Sequence, residues 1–256
     1  MEVVIYNERE GVLTIKLNRP EKHNCLNADV FNTLERAFHD AKKRDSIKAL
    51  LLLGEGKSFC AGADINRLAE CDAQLGYEFA KSGQSVFNQL EQLGKPCMAA
   101  LHGHVLGGGC ELAMSAHLRM AHVSTVLGQP EVKLGVIPGY GGTQRLTRLV
   151  GRARAIDMCI SGRFIDAETA LQWGLVNWVV DEDLEVQAMA YLKNLVQLPS
   201  LAIQGILDSI ITGADLSISA GLELEALQFA KTCATHDKHE GVTAFLEKRK
   251  PSFKGC

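Results

Sequence analysis

A largely parallel α/β core followed by a helical C-terminal segment is the fold class that the sequence predicts, on three observations. Short apolar runs alternate with helix-period stretches up to about Asp183, the βα pattern of a parallel sheet with helical cover. One run, Ala49–Leu53, is apolar at every position and stops at Gly54, as a strand buried on both faces does. Beyond Asp183 strand-like runs cease and helical periodicity takes over.

The elements follow in order. Val3–Tyr6 and Val12–Leu17 read as strands joined by a polar turn ending at Gly11, with Thr14 and Lys16 alternating against Leu13, Ile15 and Leu17. Pro20 makes the polar stretch Asn18–His23 a loop. Asn27 is placed to cap a helix reaching about Arg44, with Val30, Leu34, Ala37, Phe38 and Ala41 on one face. Cys97–Leu101 reads as a strand, Gly107–Gly109 breaks the chain, and Cys110–Ala116 reads as a helix. Met120–Val123 and Val176–Val180 are further strands, and a helix spans Thr143 to Val150. Helices over Val186–Leu198, Leu201–Ile211, Leu216–Cys233 and Glu240–Lys248 complete the chain, punctuated by Pro199 and Gly213.

Composition narrows the function classes. The chain has 256 residues, 46% hydrophobic and 22% charged, with a net charge of −3. That balance carries no footprint for nucleic acid. No apolar run approaches the ~20 residues of a membrane span. Residues Met1 to Glu10 contain Glu2, Glu8 and Glu10 and no apolar stretch, so they do not read as a signal peptide. Eight cysteines without a Cys-x-x-Cys pair read as reduced packing residues. A cytoplasmic protein is expected.

Several motifs fail. Gly54–Ser58 ends like a phosphate-binding loop, but Leu51 stands where the motif needs glycine. The pairs His102/His104 and His236/His239 lack a third ligand at a metal spacing, so no metal is expected.

Four segments remain. They are Ser58–Ile65, His102–Ala113, Gly128–Leu146 and Glu240–Pro251. In the second, an apolar strand runs through three glycines into a helix. Such a junction lets a ligand approach main-chain N–H groups at the positive end of a helix, where a developing oxyanion is stabilised. Glu111 sits in that first turn. The same residues also suit close helix–strand packing, with Glu111 as a favourable N-terminal charge. Glu131, after Pro130, reads either as a site carboxylate beside the glycine-rich stretch 139–142 or as a surface group.

These four segments, with the stretch Asn18–Leu26, resemble the enoyl-CoA hydratase/isomerase (crotonase) family, and most closely its hydratases. The resemblance rests on Ala61-Gly62-Ala63-Asp64, Leu106-Gly107-Gly108-Gly109-Cys110-Glu111-Leu112-Ala113, Gly128-Gln129-Pro130-Glu131 and the run Ile137–Leu146, and it covers nearly the whole chain. It implies a spiral of ββα units with a C-terminal helical region that builds trimers or hexamers. Residues 1–195 are then the core and residues 196–256 the trimerisation region.

The resemblance also implies an enoyl-CoA hydratase that adds water syn across a 2-trans-enoyl-CoA, in fatty-acid or short-acid breakdown. No cofactor is implied, since coenzyme A is part of the substrate. Glu111 and Glu131 match the catalytic carboxylates, the N–H groups of Ala63 and Gly108 the oxyanion hole, and Gly139 a water-orienting position. Ala61 matches an adenine contact, and Asp64 and Ile65 fall with it in the coenzyme A segment. Lys22, Arg67 and Lys254 are phosphate candidates by charge and position. Tyr140 stands where many members have alanine, either shaping the acyl pocket or packing. The competing expectations are an enoyl-CoA isomerase, a hydratase for a branched or dicarboxylic acyl group, and an RNA-binding relative.

Overall fold

The computed structural model describes residues 2–256, and the side chains of Asn66 and Arg67 lie outside the described residues. The chain opens with an antiparallel hairpin of β1 (Val4–Arg9) and β2 (Val12–Leu17), and β2 takes a parallel partner in β3 (Ala49–Gly54). Between β2 and β3, α1 (Ala28–Lys43) begins where the Asn27 side chain accepts the Val30 N–H at 3.0 Å. That bond satisfies one of the donors a helix start leaves over. The expected stripe of Val30, Leu34, Ala37, Phe38 and Ala41 is buried.

Three turns of chain then repeat one pattern. The first is β3, an extended segment around Cys60, α2 (Ile65–Ala69) and α3 (Ala73–Glu91). The second is β4 (Cys97–Leu101), β5 (His104–Leu106) and α4 (Gly108–Ser115). The third is β6 (Leu118–His122), β7 (Val126–Gly128), a 3-10 turn at Glu131–Leu134 and α5 (Gly142–Val150). After α6 (Arg152–Ser161), β8 (Phe164–Asp166), α7 (Ala167–Trp173) and β9 (Trp178–Val180) close the sheets.

Among the described residues, one six-stranded sheet runs β1-β2-β3-β4-β6-β9, parallel except at β1–β2, and a three-stranded sheet runs β5-β7-β8. The fold is the expected α/β spiral of ββα units. The run Leu50–Leu53 is apolar throughout because both of its faces are covered. Leu50 and Leu52 join the core under α1, α3 and α4, while Ala49, Leu51 and Leu53 join a second core under α8 (Leu184–Leu195).

The last three helices are α9 (Ser200–Gly213), α10 (Ile218–Cys233) and α11 (His236–Leu246). The first two pack on each other and leave Ile206, Ile210 and Phe229 exposed, as α11 leaves Phe245. Among the described residues, no single helix is long and apolar enough to cross a membrane.

The structure differs from the sequence expectations in identifiable places. Helix α3 carries Gly83 on its buried stripe, and α6 and α7 bury only Ala155 and Met158 and only Ala167 and Ala170, too few apolar side chains to mark a period. Strands β5, β7 and β8 have three residues each, too few to show alternation. Helix α4 begins at Gly108, so two of the three glycines are helical and only Gly107 turns the chain, with φ 51°. Helix α11 starts at His236 rather than Glu240, because Thr235 caps it by accepting the Lys238 N–H.

Arg119 locks α4 in place. Its side chain is buried, and its guanidinium donates to the carbonyls of Leu175 at 2.8 Å, Ala113 at 3.4 Å and Ala116. Two of those acceptors end α4, where a cation meets the negative pole of the helix. Arg119→Met removes the donors and strands buried carbonyls. Urea titration is expected to show a loss of about 3 kcal/mol, with the activity of the folded fraction retained.

Candidate active site

The small sheet fixes the site by register. Cys60 bridges Val105, and Val105 pairs with Leu127, so three parallel segments run side by side in step. Their carboxyl ends, where α/β sheets present ligands, lead to Ala63, to Gly108 and to the Pro130–Glu131 turn. All three stretches border one cavity of about 860 Å³.

Two main-chain N–H groups converge there. Residues 61–64 run beside residues 23–26, with the Ala61 and Asp64 N–H groups donating to His23 and Leu26 and the Gly62 carbonyl accepting from Leu26. The Gly62 carbonyl faces Leu26, so the Ala63 N–H of the same trans peptide points to the other side. There a Cβ added to Gly108 would lie 3.3 Å from the Ala63 nitrogen. Gly108 is the first residue of α4, where N–H groups lack intrahelical partners. The close approach also needs Gly109, whose Cβ would collide with the Cys60 carbonyl.

Glu111 points into the cavity from the first turn of α4 and is 1% exposed. Its Oε1 accepts the N–H groups of Tyr140 and Gly142, both at 2.7 Å. Gly142 is the first residue of α5, so the carboxylate also meets the positive end of that helix. Burial nevertheless pushes the Glu111 carboxyl up to about 8, with the charge of Glu131 adding to the rise and the two N–H donors opposing it. Glu131, half-buried on its 3-10 turn, is pushed by burial up to about 7. Gly107 lies against it, since a Cβ there would stand 2.9 Å from Glu131 Oε1.

The remaining expected residues fall on and off this cavity. Ala61, Ile65, Gly139 and Tyr140 line it with the two carboxylates. The Tyr140 ring is buried at one end, and Ile65 and Ile137 are exposed at the rim. Asp64 is outside the lining and lies 3.6 Å from the Arg19 guanidinium. Lys22 is exposed on the turn that adjoins Ala61 through its neighbour His23. Lys254 is held in the C-terminal tail, where Asp237 accepts its main-chain N–H at 2.7 Å, and is also off the lining. The Arg67 side chain lies outside the described residues. No group of three potential metal ligands occurs among the described residues.

Two glutamines escaped the sequence reading. Gln129 is fully buried, and its side-chain amide lies 3.0 and 3.1 Å from the two Glu131 carboxylate oxygens. Gln84 on α3 donates to the Gly139 carbonyl at 2.9 Å and holds that loop. Gln129 stands beside Pro130 in the recognised segment, which was the available signal. Gln84 had none, because its partner is far along the chain.

Comparison with known proteins gives a consistent set of relatives. Residues 7–256 match the family model for enoyl-CoA hydratase/isomerase. The chain is 39% identical over 246 residues to the short-chain-enoyl-CoA hydratase of Clostridium acetobutylicum, covering 95% of this chain and 94% of that one. It is 37% identical over 256 residues to the 2,3-dehydroadipyl-CoA hydratase of Escherichia coli, with 100% of each chain covered. Its fold matches the crystal structure of an enoyl-CoA hydratase from Geobacillus kaustophilus HTA426 with a TM-score of 0.96 at 31% identity, covering 100% of this chain and 98% of that one.

The raised proton affinity of Glu111 has a consequence for stability. A carboxyl that binds its proton more tightly folded than unfolded leaves the fold undisturbed below its ordinary value of 4.5, where both states are protonated. It destabilises the fold as pH rises from there through about 8. Glu111→Gln keeps an oxygen for the Tyr140 and Gly142 donors and removes the charge. Thermal denaturation is expected to show the variant's gain at pH 9 exceeding its gain at pH 5 by about 8 °C. An equal gain at both values would mean that the buried charge is not the cause.

Proposed function

The chain belongs to the enoyl-CoA hydratase/isomerase family, and from that premise we propose that it adds water reversibly to 2-trans-enoyl-CoA thioesters, giving 3-hydroxyacyl-CoA. The observation that carries the reading is the pairing of two proton-retaining carboxyls, Glu111 and Glu131, in one cavity with the N–H groups of Ala63 and Gly108. A double-bond shift needs one base that moves a proton between two carbons. Hydration needs a base for the water and an acid for Cα, and two carboxyls near neutrality supply both.

In this mechanism the thioester oxygen lies between the Ala63 and Gly108 N–H groups, which stabilise it as enolate charge develops. Glu111 takes a proton from the water as its oxygen bonds to Cβ. Glu131 gives its proton to Cα, and the roles exchange in dehydration. Burial raises both carboxyls toward neutrality, so the pair shares a proton that the bound thioester can draw from the Glu131 side. Gln129 fixes the direction of the Glu131 carboxylate, and Gly139 stands at the water position. We assign the adenosine end of coenzyme A to the Ala61 side, with Ile65 at the rim and Lys22 and Arg67 as phosphate contacts. Lys254 and Asp64, off the lining in a single chain, carry less of that assignment.

We further propose that residues 196–256 form an oligomerisation region, with a trimer or hexamer as the assembly. The exposed apolar residues Ile206, Ile210 and Phe229 support this, since such a patch on a soluble chain marks an interface. Light scattering is expected to return the mass of three or six chains, and Phe229→Asp to lower it. A wild-type monomer would refute the assembly.

Crotonyl-CoA tests the chemistry through loss of its conjugated absorbance. Glu111→Gln and Glu131→Gln are each expected to lower kcat by about 10³ or more. The wild-type pH profile of kcat/KM is expected to be bell-shaped, with limbs at about 7 and about 8, because one proton must stay on the pair. A variant of either glutamate within tenfold of wild type would sink the two-carboxyl mechanism.

A further inference from the structure

We infer that an aromatic wall around Tyr140 closes the acyl end of the cavity and restricts the enzyme to short acyl chains. The inference rests on the enoyl-CoA reading of the site and specifies its substrate class. The Tyr140 ring lies next to the reacting centre, since a Cβ added to Gly108 would sit 3.2 Å from its Cδ2 and Cε2 atoms. It is 2% exposed and meets three other rings, with centroids at 5.2 Å to Phe31, 5.2 Å to Phe79 and 5.7 Å to Phe87. Its remaining edge fits against Gly83 of α3, where a Cβ would collide with Cδ1. A ring held on every side in this way cannot swing aside as a lone side chain does.

The position of the wall decides which carbons it blocks. With the thioester oxygen between Ala63 and Gly108, the Cα and Cβ atoms lie toward Glu111 and Glu131. The chain beyond Cβ then runs at the ring of Tyr140, whose own N–H holds Glu111. A short acyl tail ends in front of the ring, and a longer one meets it.

Behind the wall the structure already contains a second opening. A groove of about 550 Å³ between α1 and the start of α3 is lined by Phe31, Leu75 and Phe79 among others, and Phe79 lines both it and the main cavity. Removal of the Tyr140 or Phe79 ring would join the two spaces into a tunnel.

The test separates binding from chemistry. Calorimetry with the saturated butyryl-, hexanoyl- and decanoyl-CoA reads chain selection whether or not water is added. Each methylene buried in an open tunnel would tighten binding about fourfold. Wild type is expected to gain from butyryl to hexanoyl and nothing further to decanoyl, whereas Tyr140→Ala and Phe79→Ala should each bind decanoyl-CoA at least tenfold tighter than wild type does. In turnover, the wild-type kcat/KM for 2-decenoyl-CoA is expected to be at least 100-fold below that for crotonyl-CoA. The ratio should narrow at least tenfold in either variant. Phe31→Ala gives a third opening should one of these fail to fold. Wild type binding decanoyl-CoA as the methylene count predicts, or turning over 2-decenoyl-CoA within tenfold of crotonyl-CoA, would overturn the wall. Selective acyl-CoA binding with no hydration of any enoyl-CoA would instead leave the wall standing and overturn the hydratase reading.

Discussion

A carboxylate withdrawn almost wholly from bulk solvent at the wall of a cavity governs this molecule. Glu111 is taken out of solvent and given two main-chain N–H donors and the positive end of α5 in exchange. Desolvating a carboxylate costs several kcal/mol, and charge-assisted bonds of this kind offset only part of it. The remainder appears as a proton held several units above the ordinary range. A group in this condition is poor for stability and suited to proton transfer near neutral pH.

Much of the surrounding structure exists to keep that carboxylate in place and in company. Arg119 pins the far end of α4, which carries it. Gly107 has no side chain because Glu131 occupies the space, and its left-handed backbone turns β5 into α4 within one residue. Gln84 holds the Gly139 carbonyl just before the loop that donates to Glu111. The in-step alignment of Cys60, Val105 and Leu127 then sets the main chain of Ala63 and Gly108 and the carboxyl of Glu131 around one cavity. Each constraint is a packing or hydrogen-bond requirement, and together they hold these groups in place.

How far the residues alone disclose this depends on how local each feature is. Strands β2 and β4 fall at their expected bounds, and Asn27 caps α1, because strand period and capping act over a few residues. The helical C-terminal segment is equally legible from its periodicity. By contrast, α3 is masked by Gly83, whose lack of a side chain answers to the ring of Tyr140 some 57 positions away. That Glu111 and Glu131 share a cavity depends on the register between β5 and β7, which neither segment encodes by itself; the family motifs supplied that expectation. Tyr140 read either as acyl pocket or as packing; its ring completes the aromatic cluster, and the residue also lines the cavity. Lys254 rests on charge and position alone, two properties that no local motif ties to the cavity.

The central claim, a proton retained by a buried carboxyl pair, is open to direct observation. Carboxyl carbon NMR of protein labelled with ¹³C at its glutamate side chains, titrated from pH 5 to pH 9 in wild type and in Glu111→Gln and Glu131→Gln, reads the protonation of each group. The account predicts glutamate signals that still titrate between about 7 and about 8, altered when either residue is replaced. Complete ionisation of every glutamate by pH 6 would contradict it.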